Sequence, residues 1–271
     1  MSAENFGEYY RLGREEGRLT RGLGLVEFAR TCELLTRFLP TPSCRVLDVG
    51  GGTGTYARWL SAQGHVVTLL DAMPEHVVRA QELGGLEAAR LGDARALPFP
   101  DDSFDALLLL GPMYHLTERT DRQQALREAA RCLRSRGVLL SAGIPRPAAI
   151  LGDFSRGATP DEAENYSRPL REEAYISGQY RNPEGRAGYF TRSYFHRPTE
   201  LLSEVQEAGF EAEGPYALEG PLTFIPAAEL ETLWMDGPRR ATLLDTLRLL
   251  EREESLMGMS AHLLVAARLP A

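Results

Sequence analysis

Asp48, Asp71, Asp93, Tyr114 and His115 are the side chains whose types and places could carry chemistry. Asp48 lies in the stretch VLDVGGGTGTYARWL at 46–60, two residues ahead of a glycine-rich turn. Val46, Leu47 and Val49 supply the apolar run of a buried strand. Gly50, Gly51, Gly52 and Gly54 let the backbone turn sharply and let a ligand approach the main chain without meeting a Cβ. Thr53 or Thr55 can open the helix that follows. The amides at such a helix start favour an anionic group, phosphate or carboxylate, so the turn by itself does not choose a ligand.

Asp48 does choose. A carboxylate at the floor of this pocket repels a pyrophosphate and attracts an ammonium or sulfonium centre, which favours S-adenosylmethionine over NAD. The competing reading is a dinucleotide turn in an NAD-dependent oxidoreductase, since Gly52, Gly54 and Ala57 also satisfy G-x-G-x-x-A. Downstream, HVVTLLDAMPEHVVRAQEL (65–83) gives a second strand ending in Asp71, with Pro74 at a helix start. An acid at the end of the second strand can accept both ribose hydroxyls of an adenosine, with Ala72 and Met73 against its ring; the alternative for Asp71 is a helix N-cap. A third segment, LGDARALPFPDDSFDALLLLGPMYHL (91–116), places Asp93 in a turn, then an acidic loop, then the run Phe104 to Leu110.

The combination of D-x-G-x-G-x-G at 48–54, the acid at 71, GDA at 92–94 and LPFPDDSFD before the fourth strand resembles the class I S-adenosylmethionine-dependent methyltransferases. The resemblance implies that Asp93 hydrogen-bonds the adenine amino group and that Ala94 offers its amide to the ring. It also implies that Gly50 and Leu110 meet the methionine end through their main chains, and that S-adenosyl-L-homocysteine is the product. GPMYHL at 111–116, YYRLGREEGRL near the amino terminus, SYFHRPTEL at 193–201 and the closing SAHLLVAARLP are similar to a large bacterial subgroup acting on small molecules. That likeness covers nearly the whole chain and names no substrate.

Methyl transfer from a sulfonium is an in-line substitution with a good leaving group, so the protein mainly aligns the reactants and excludes water. A base is needed only where the acceptor must lose a proton. His115, just after the fourth strand, is the leading candidate for that base; holding the Gly111-Pro112 turn is its structural alternative. Tyr114 either binds substrate or packs. Tyr10 is the choice for a cofactor or substrate contact from the amino-terminal flap that Tyr9 and Tyr10 open. Arg18 or Arg21 could meet the methionine carboxylate, although an arginine on a charged helix is commonly a solvated face. His196 either faces substrate or, the favoured reading, serves helix entry or a lid contact, and His65, His76 and His262 read as structural. A sensor or scaffold that binds the cofactor without catalysis is the alternative from outside enzymology.

These residues require an α/β frame: a Rossmann-like sheet of seven strands, the last antiparallel, with helices on both faces and a lid insertion. Strands are expected near 44–49, 65–70, 86–91, 104–110 and 137–144, a sixth over 210–219, and a last over 260–269. Helices are expected over 119–134, with Ala125, Ala129, Ala130 and Leu133 facing the core, and over 198–208. One domain is expected: a flap at 1–42, a cofactor core at 43–145, a substrate lid at 146–195 and the remainder at 196–271. The lid reading rests on length, on departure from the carboxyl edge of the fifth strand, and on its aromatic residues Phe154, Tyr166, Tyr175, Tyr180, Tyr189, Phe190, Tyr194 and Phe195. The stretch 226–256, with Leu230, Leu233, Trp234, Leu243, Leu244, Leu247, Leu249 and Leu250, reads as core or as the face of a homodimer.

Composition narrows the partners. A net charge of −8 and a pI near 5.3 argue against nucleic acid, whose binding draws on phosphate neutralisation. No apolar run approaches the roughly 18 residues needed to span a bilayer and the polar start MSAENFGEYY lacks a signal core, so a cytoplasmic enzyme with a small-molecule methyl acceptor is expected. Cys32, Cys44 and Cys132 are scattered without a C-x-x-C pair and read as buried thiols, with no metal site. The chain contains no lysine, which excludes lysine chemistry.

Overall fold

Near-continuous apolar runs make strands that are buried on both faces, and these runs build a parallel sheet. The computed structural model describes residues 17–41, 43–151, 161, 163–182 and 189–271. They divide into two compact units, one of Cys32–Ala142, Leu201–Gly214 and Leu264–Ala271, the other of the chain up to Thr31, Gly143–Glu200 and Pro215–Leu263. In the first unit lie β1 (Arg45–Val49), β2 (Val66–Asp71), β3 (Ala88–Leu91), β4 (Phe104–Leu109) and most of β5 (Leu133–Pro145). Their order is β3-β2-β1-β4-β5, with Leu47 opposite Thr68 on one side and Leu107 on the other. All four of these pairings are parallel. Leu47, Leu69, Leu107, Leu108, Leu139 and Leu140 are fully buried.

Strand order reverses between β1 and β4, and the carboxyl ends of two such neighbours diverge into the crevice where open α/β sheets bind ligands. Gly50 and Leu110 follow directly from those two ends. The connecting helices are Thr55–Ala62, Pro74–Leu83 and Arg119–Cys132. The last of these buries Arg122, Gln123, Ala125, Leu126, Ala129 and Cys132. Ala130 is only half-buried and Leu133 already belongs to β5, so the expected stripe is corrected. The helix ends at Cys132, and Leu133 sits in the strand ladder opposite Phe104 of β4.

Two short strands, β6 (Gln179–Tyr180) and β7 (Ser193–His196), belong to the second unit and bring the sheet to nine strands instead of seven. β7 pairs parallel with the end of β5, Ile144 opposite Phe195, and β6 pairs antiparallel with β7. β8 (Glu211–Ala217) and β9 (Leu263–Arg268) complete the sheet, with β9 between β5 and β8. The Leu269 N–H donates to the Gly137 carbonyl early in β5, and the Leu218 N–H to the His262 carbonyl. The end of β9 therefore lies beside the start of β5, and β9 runs antiparallel as expected.

In the second unit Val26 packs with Leu222, Leu230, Trp234 and Leu247. The stretch 226–256 folds as Ala227–Met235, Gly237–Leu250 and a 3-10 turn at Glu254–Met259. Leu249 is 84% exposed and takes no part in this core. Among the described residues no helix is long and apolar enough to cross a membrane. All three cysteines are free and buried. Burial pushes the Cys32 thiol up to about 12 and the Cys44 and Cys132 thiols up to about 11, which removes them as nucleophiles at neutral pH.

Candidate active site

The glycine turn after β1 is built from three left-handed residues, Gly50 (φ 71°), Gly52 (φ 58°) and Gly54 (φ 85°), a region that costs other residues about 1–2 kcal/mol. A Cβ at Gly50 would stand 2.8 Å from the ring of Pro112, and one at Gly51 2.6 Å from Oδ2 of Asp48. Among the described residues, a Cβ at Gly52 would meet nothing within 4 Å. The helix starts at Thr55 with Gly54 as its N-cap and no capping side chain, so Thr53 does not open it.

Asp48 is buried beneath Gly51, and its Oδ2 accepts no hydrogen bond from the described residues. Burial first, and the Asp71 carboxylate second, push its carboxyl up to about 7. A buried acid in that state is relieved by a cation or a donor placed against it. This fits the cationic sulfonium and ammonium groups of S-adenosylmethionine.

Asp71, at the end of β2, ties the site together. Its Oδ2 accepts the Gly52 N–H at 2.8 Å, and its Oδ1 accepts the Met73 N–H at 2.8 Å and lies 3.2 Å from Nδ1 of His76. The helix Pro74–Leu83 has Met73 as its N-cap residue, without a capping side chain. Asp71 thus braces both the glycine turn and the start of that helix. A carboxylate offers about four acceptor positions, and three are taken. Ala72 is exposed beside it and Met73 is 8% exposed.

Asp93 and Ala94 follow β3, where the Gly92 N–H donates to the Asp71 carbonyl. The Asp93 carboxylate is held by Arg95, whose Nη2 donates to Oδ2 at 2.6 Å and whose Nε donates to Oδ1 at 3.0 Å. These bonds hold the Asp93 carboxyl below the usual range, and Arg95 also reaches Asp121 at 2.9 Å. The carboxylate implied to face adenine is therefore engaged by Arg95.

Beyond β4 and Leu110, a four-residue helix, Pro112–His115, carries the remaining candidates. Gly111 lies close to Gly50, since its Cβ would stand 3.3 Å from the Gly50 carbonyl oxygen and 3.8 Å from the Tyr114 hydroxyl. The Tyr114 and His115 rings are 4.6 Å apart. Burial pushes the His115 imidazole down to about 3, with Asp71 acting in the opposite direction. The turns after β1, β2 and β4 thus converge, whereas Asp93 is turned to its own neighbour. Tyr10, Tyr9 and Phe154 lie outside the described residues.

The other candidates have structural partners. Arg18 donates to Glu27 at 2.9 Å, and the buried Glu27 and Glu219 cluster with the half-buried His262, whose Nδ1 lies 2.7 Å from Oε1 of Glu219. His65 contacts Cys44, and the His196 ring packs against Tyr194. Two residues absent from the sequence reading stand out: Arg122 and Glu204, a buried pair joined at 2.7 and 2.8 Å.

A family model described as a methyltransferase domain matches residues 47–141. The chain is 38% identical to 2-methyl-6-phytyl-1,4-hydroquinone methyltransferase 2 of rice (Oryza sativa subsp. japonica) over 114 residues, 41% of this chain. It spans about a third of that relative, 32% of its length. It is 31% identical to a ubiquinone/menaquinone biosynthesis C-methyltransferase of Vibrio campbellii over 193 residues, 66% of this chain and 69% of that protein. Among solved structures, a putative methyltransferase in complex with the Trm112 methyltransferase activator of Haloferax volcanii has a TM-score of 0.61 at 20% identity, covering 98% of each chain. A possible histamine N-methyltransferase from Thermotoga maritima has a TM-score of 0.59 at 16% identity, covering 98% of this chain and 99% of that one. These two likenesses are of fold.

Proposed function

This chain belongs to the class I S-adenosylmethionine-dependent methyltransferases, and from that membership we propose that it moves a methyl group to a small-molecule acceptor of the hydroquinone class that its relatives' names specify. The observation that supports this most directly is the convergence of Asp48, the glycine turn and Asp71 with the Tyr114-His115 turn at the strand reversal. The cofactor supplies an electrophilic methyl carbon on a sulfonium leaving group. Calorimetry with S-adenosylhomocysteine and NAD, then incubation of methyl-labelled S-adenosylmethionine with 2-methyl-1,4-hydroquinone or 1,4-naphthohydroquinone, tests the reading. Binding of the first ligand, no binding of NAD and label in the hydroquinone are expected. A folded protein that ignores S-adenosylhomocysteine would sink the assignment, and one that binds it but labels neither ring would sink the acceptor class.

In this reading Asp71 binds the ribose through its remaining acceptor position, and His76, the longest of its three contacts, yields a second. Asp71→Ala is expected to weaken S-adenosylhomocysteine binding by roughly 1–3 kcal/mol while the sheet persists, because bonds to a charged acceptor are lost. Unchanged affinity in calorimetry removes Asp71 from the site.

His115, pushed down to about 3, stays a neutral imidazole across the working pH range and is a weak base. We assign it the orientation of the acceptor hydroxyl by hydrogen bonding, with the proton leaving to water. His115→Gln is then expected to keep the pH profile and lose less than about tenfold in turnover. A loss of about 10²–10⁴-fold with an altered profile would restore the role of general base.

A further inference from the structure

Arg122 is 1% exposed, and its distances to Glu204 are those of charge-assisted hydrogen bonds. Nε and Nη2 donate to the two carboxylate oxygens of Glu204, at 2.8 and 2.7 Å. Nη1 donates to the carbonyls of Leu116 and Thr117, both at 3.0 Å. The carbonyls lie immediately after the helix Pro112–His115. Glu204 is in turn fixed from its main chain, because the side-chain amide of Gln123 donates to its carbonyl at 2.9 Å. Arg119 adds a second, weaker charge 3.9 Å from Glu204 and also pairs with Glu207.

A buried ion pair is a poor source of net stability, since desolvation offsets its attraction and apolar residues of similar size commonly do as well. The two carbonyls give this pair another use. A guanidinium can grip a carboxylate with one edge and main-chain oxygens with the other, and lysine cannot reproduce that fork. The geometry points to Arg122 as a positioning residue that acts through Leu116 and Thr117 on the Tyr114-His115 pair, with Glu204 as its charge partner. It holds the turn that meets Gly50, and leaves the Asp48-to-Asp71 side of the site to other contacts. The functional meaning of this tether rests on the reading of that turn as the acceptor side of a methyltransferase.

The experiment compares wild type with the charge-neutral double variant Arg122→Met/Glu204→Leu and with Arg122→Lys, by hydrogen exchange, by NMR of isotope-labelled histidines and by calorimetry with S-adenosylhomocysteine. The double variant is expected to exchange the amides of Met113–Leu116 on the order of 10–100-fold faster and to shift the His115 resonances. The β1 and β2 amides and the His65 resonances are expected to stay in place, with S-adenosylhomocysteine affinity within about threefold of wild type. Arg122→Lys, which keeps a donor for the carbonyls, is expected to restore part of the protection and of the His115 shift. If the double variant does not fold, Arg122→Lys carries the comparison, with faster exchange than wild type confined to the same amides. Wild-type exchange at 113–116 with unmoved His115 resonances overturns the tether. Wild-type protein that does not bind S-adenosylhomocysteine overturns the methyltransferase reading and leaves the exchange comparison intact.

Discussion

Replacing Asp48 with Asn is expected to stabilise the cofactor-free protein at pH 8 and to weaken its hold on S-adenosylmethionine. Burial and the Asp71 carboxylate push the Asp48 carboxyl up to about 7, whereas an unfolded aspartate titrates near 3.9. Between about pH 4 and 7 the folded state therefore keeps a proton that the unfolded chain has released. The native state binds more protons in this window, so stability falls as pH rises through it, and the full cost stands above pH 7. The neutral amide escapes that cost, which is of the order of a few kcal/mol for a shift of this size. It also forfeits the charge that draws a cation, for an expected loss in cofactor affinity of roughly 10–100-fold. Urea unfolding at pH 5 and pH 8 checks the first half and calorimetry the second. If both proteins lose the same stability between the two pH values, the buried carboxyl is not the strained group.

Gly50→Ala should cost roughly 2–4 kcal/mol of stability, and Gly52→Ala about 1 kcal/mol. Both positions have positive φ, so each carries the backbone cost of a left-handed conformation. They differ in surroundings. At Gly50 the new methyl would press on Cγ and Cδ of Pro112 at 2.8 Å, and a proline ring has little freedom to yield. At Gly52 it would meet no atom of the described residues within 4 Å. The first variant is therefore expected to unfold at lower denaturant, while the second keeps its fold and loses S-adenosylhomocysteine binding. Equal destabilisation by the two would show that Pro112 moves aside, and would detach the glycine turn from the Tyr114-His115 turn.

The sheet was legible in the chain because its causes are local. Val46-Leu47, Leu69-Leu70 and Ala106 to Leu109 are contiguous apolar runs, and burial on both faces leaves no other use for them. The glycines after Asp48 and the acid ending β2 are likewise local signals, each set by what a turn or strand end demands within a few residues. The strands β6 and β7 were not legible: at two and four residues they carry no period, and they are strands because β7 pairs with β5 and β6 with β7. Arg122 was one arginine among the 30 basic residues of a chain without lysine. Its burial exists only where the helix Arg119–Cys132 meets Glu204, 82 residues away. The depressed imidazole of His115 has the same origin. Composition and spacing determine which backbone a segment adopts, because propensity and hydrophobic period act over a few residues. Which charge is desolvated, and which donor reaches a carboxylate first, is decided only when distant segments close around them and remove water.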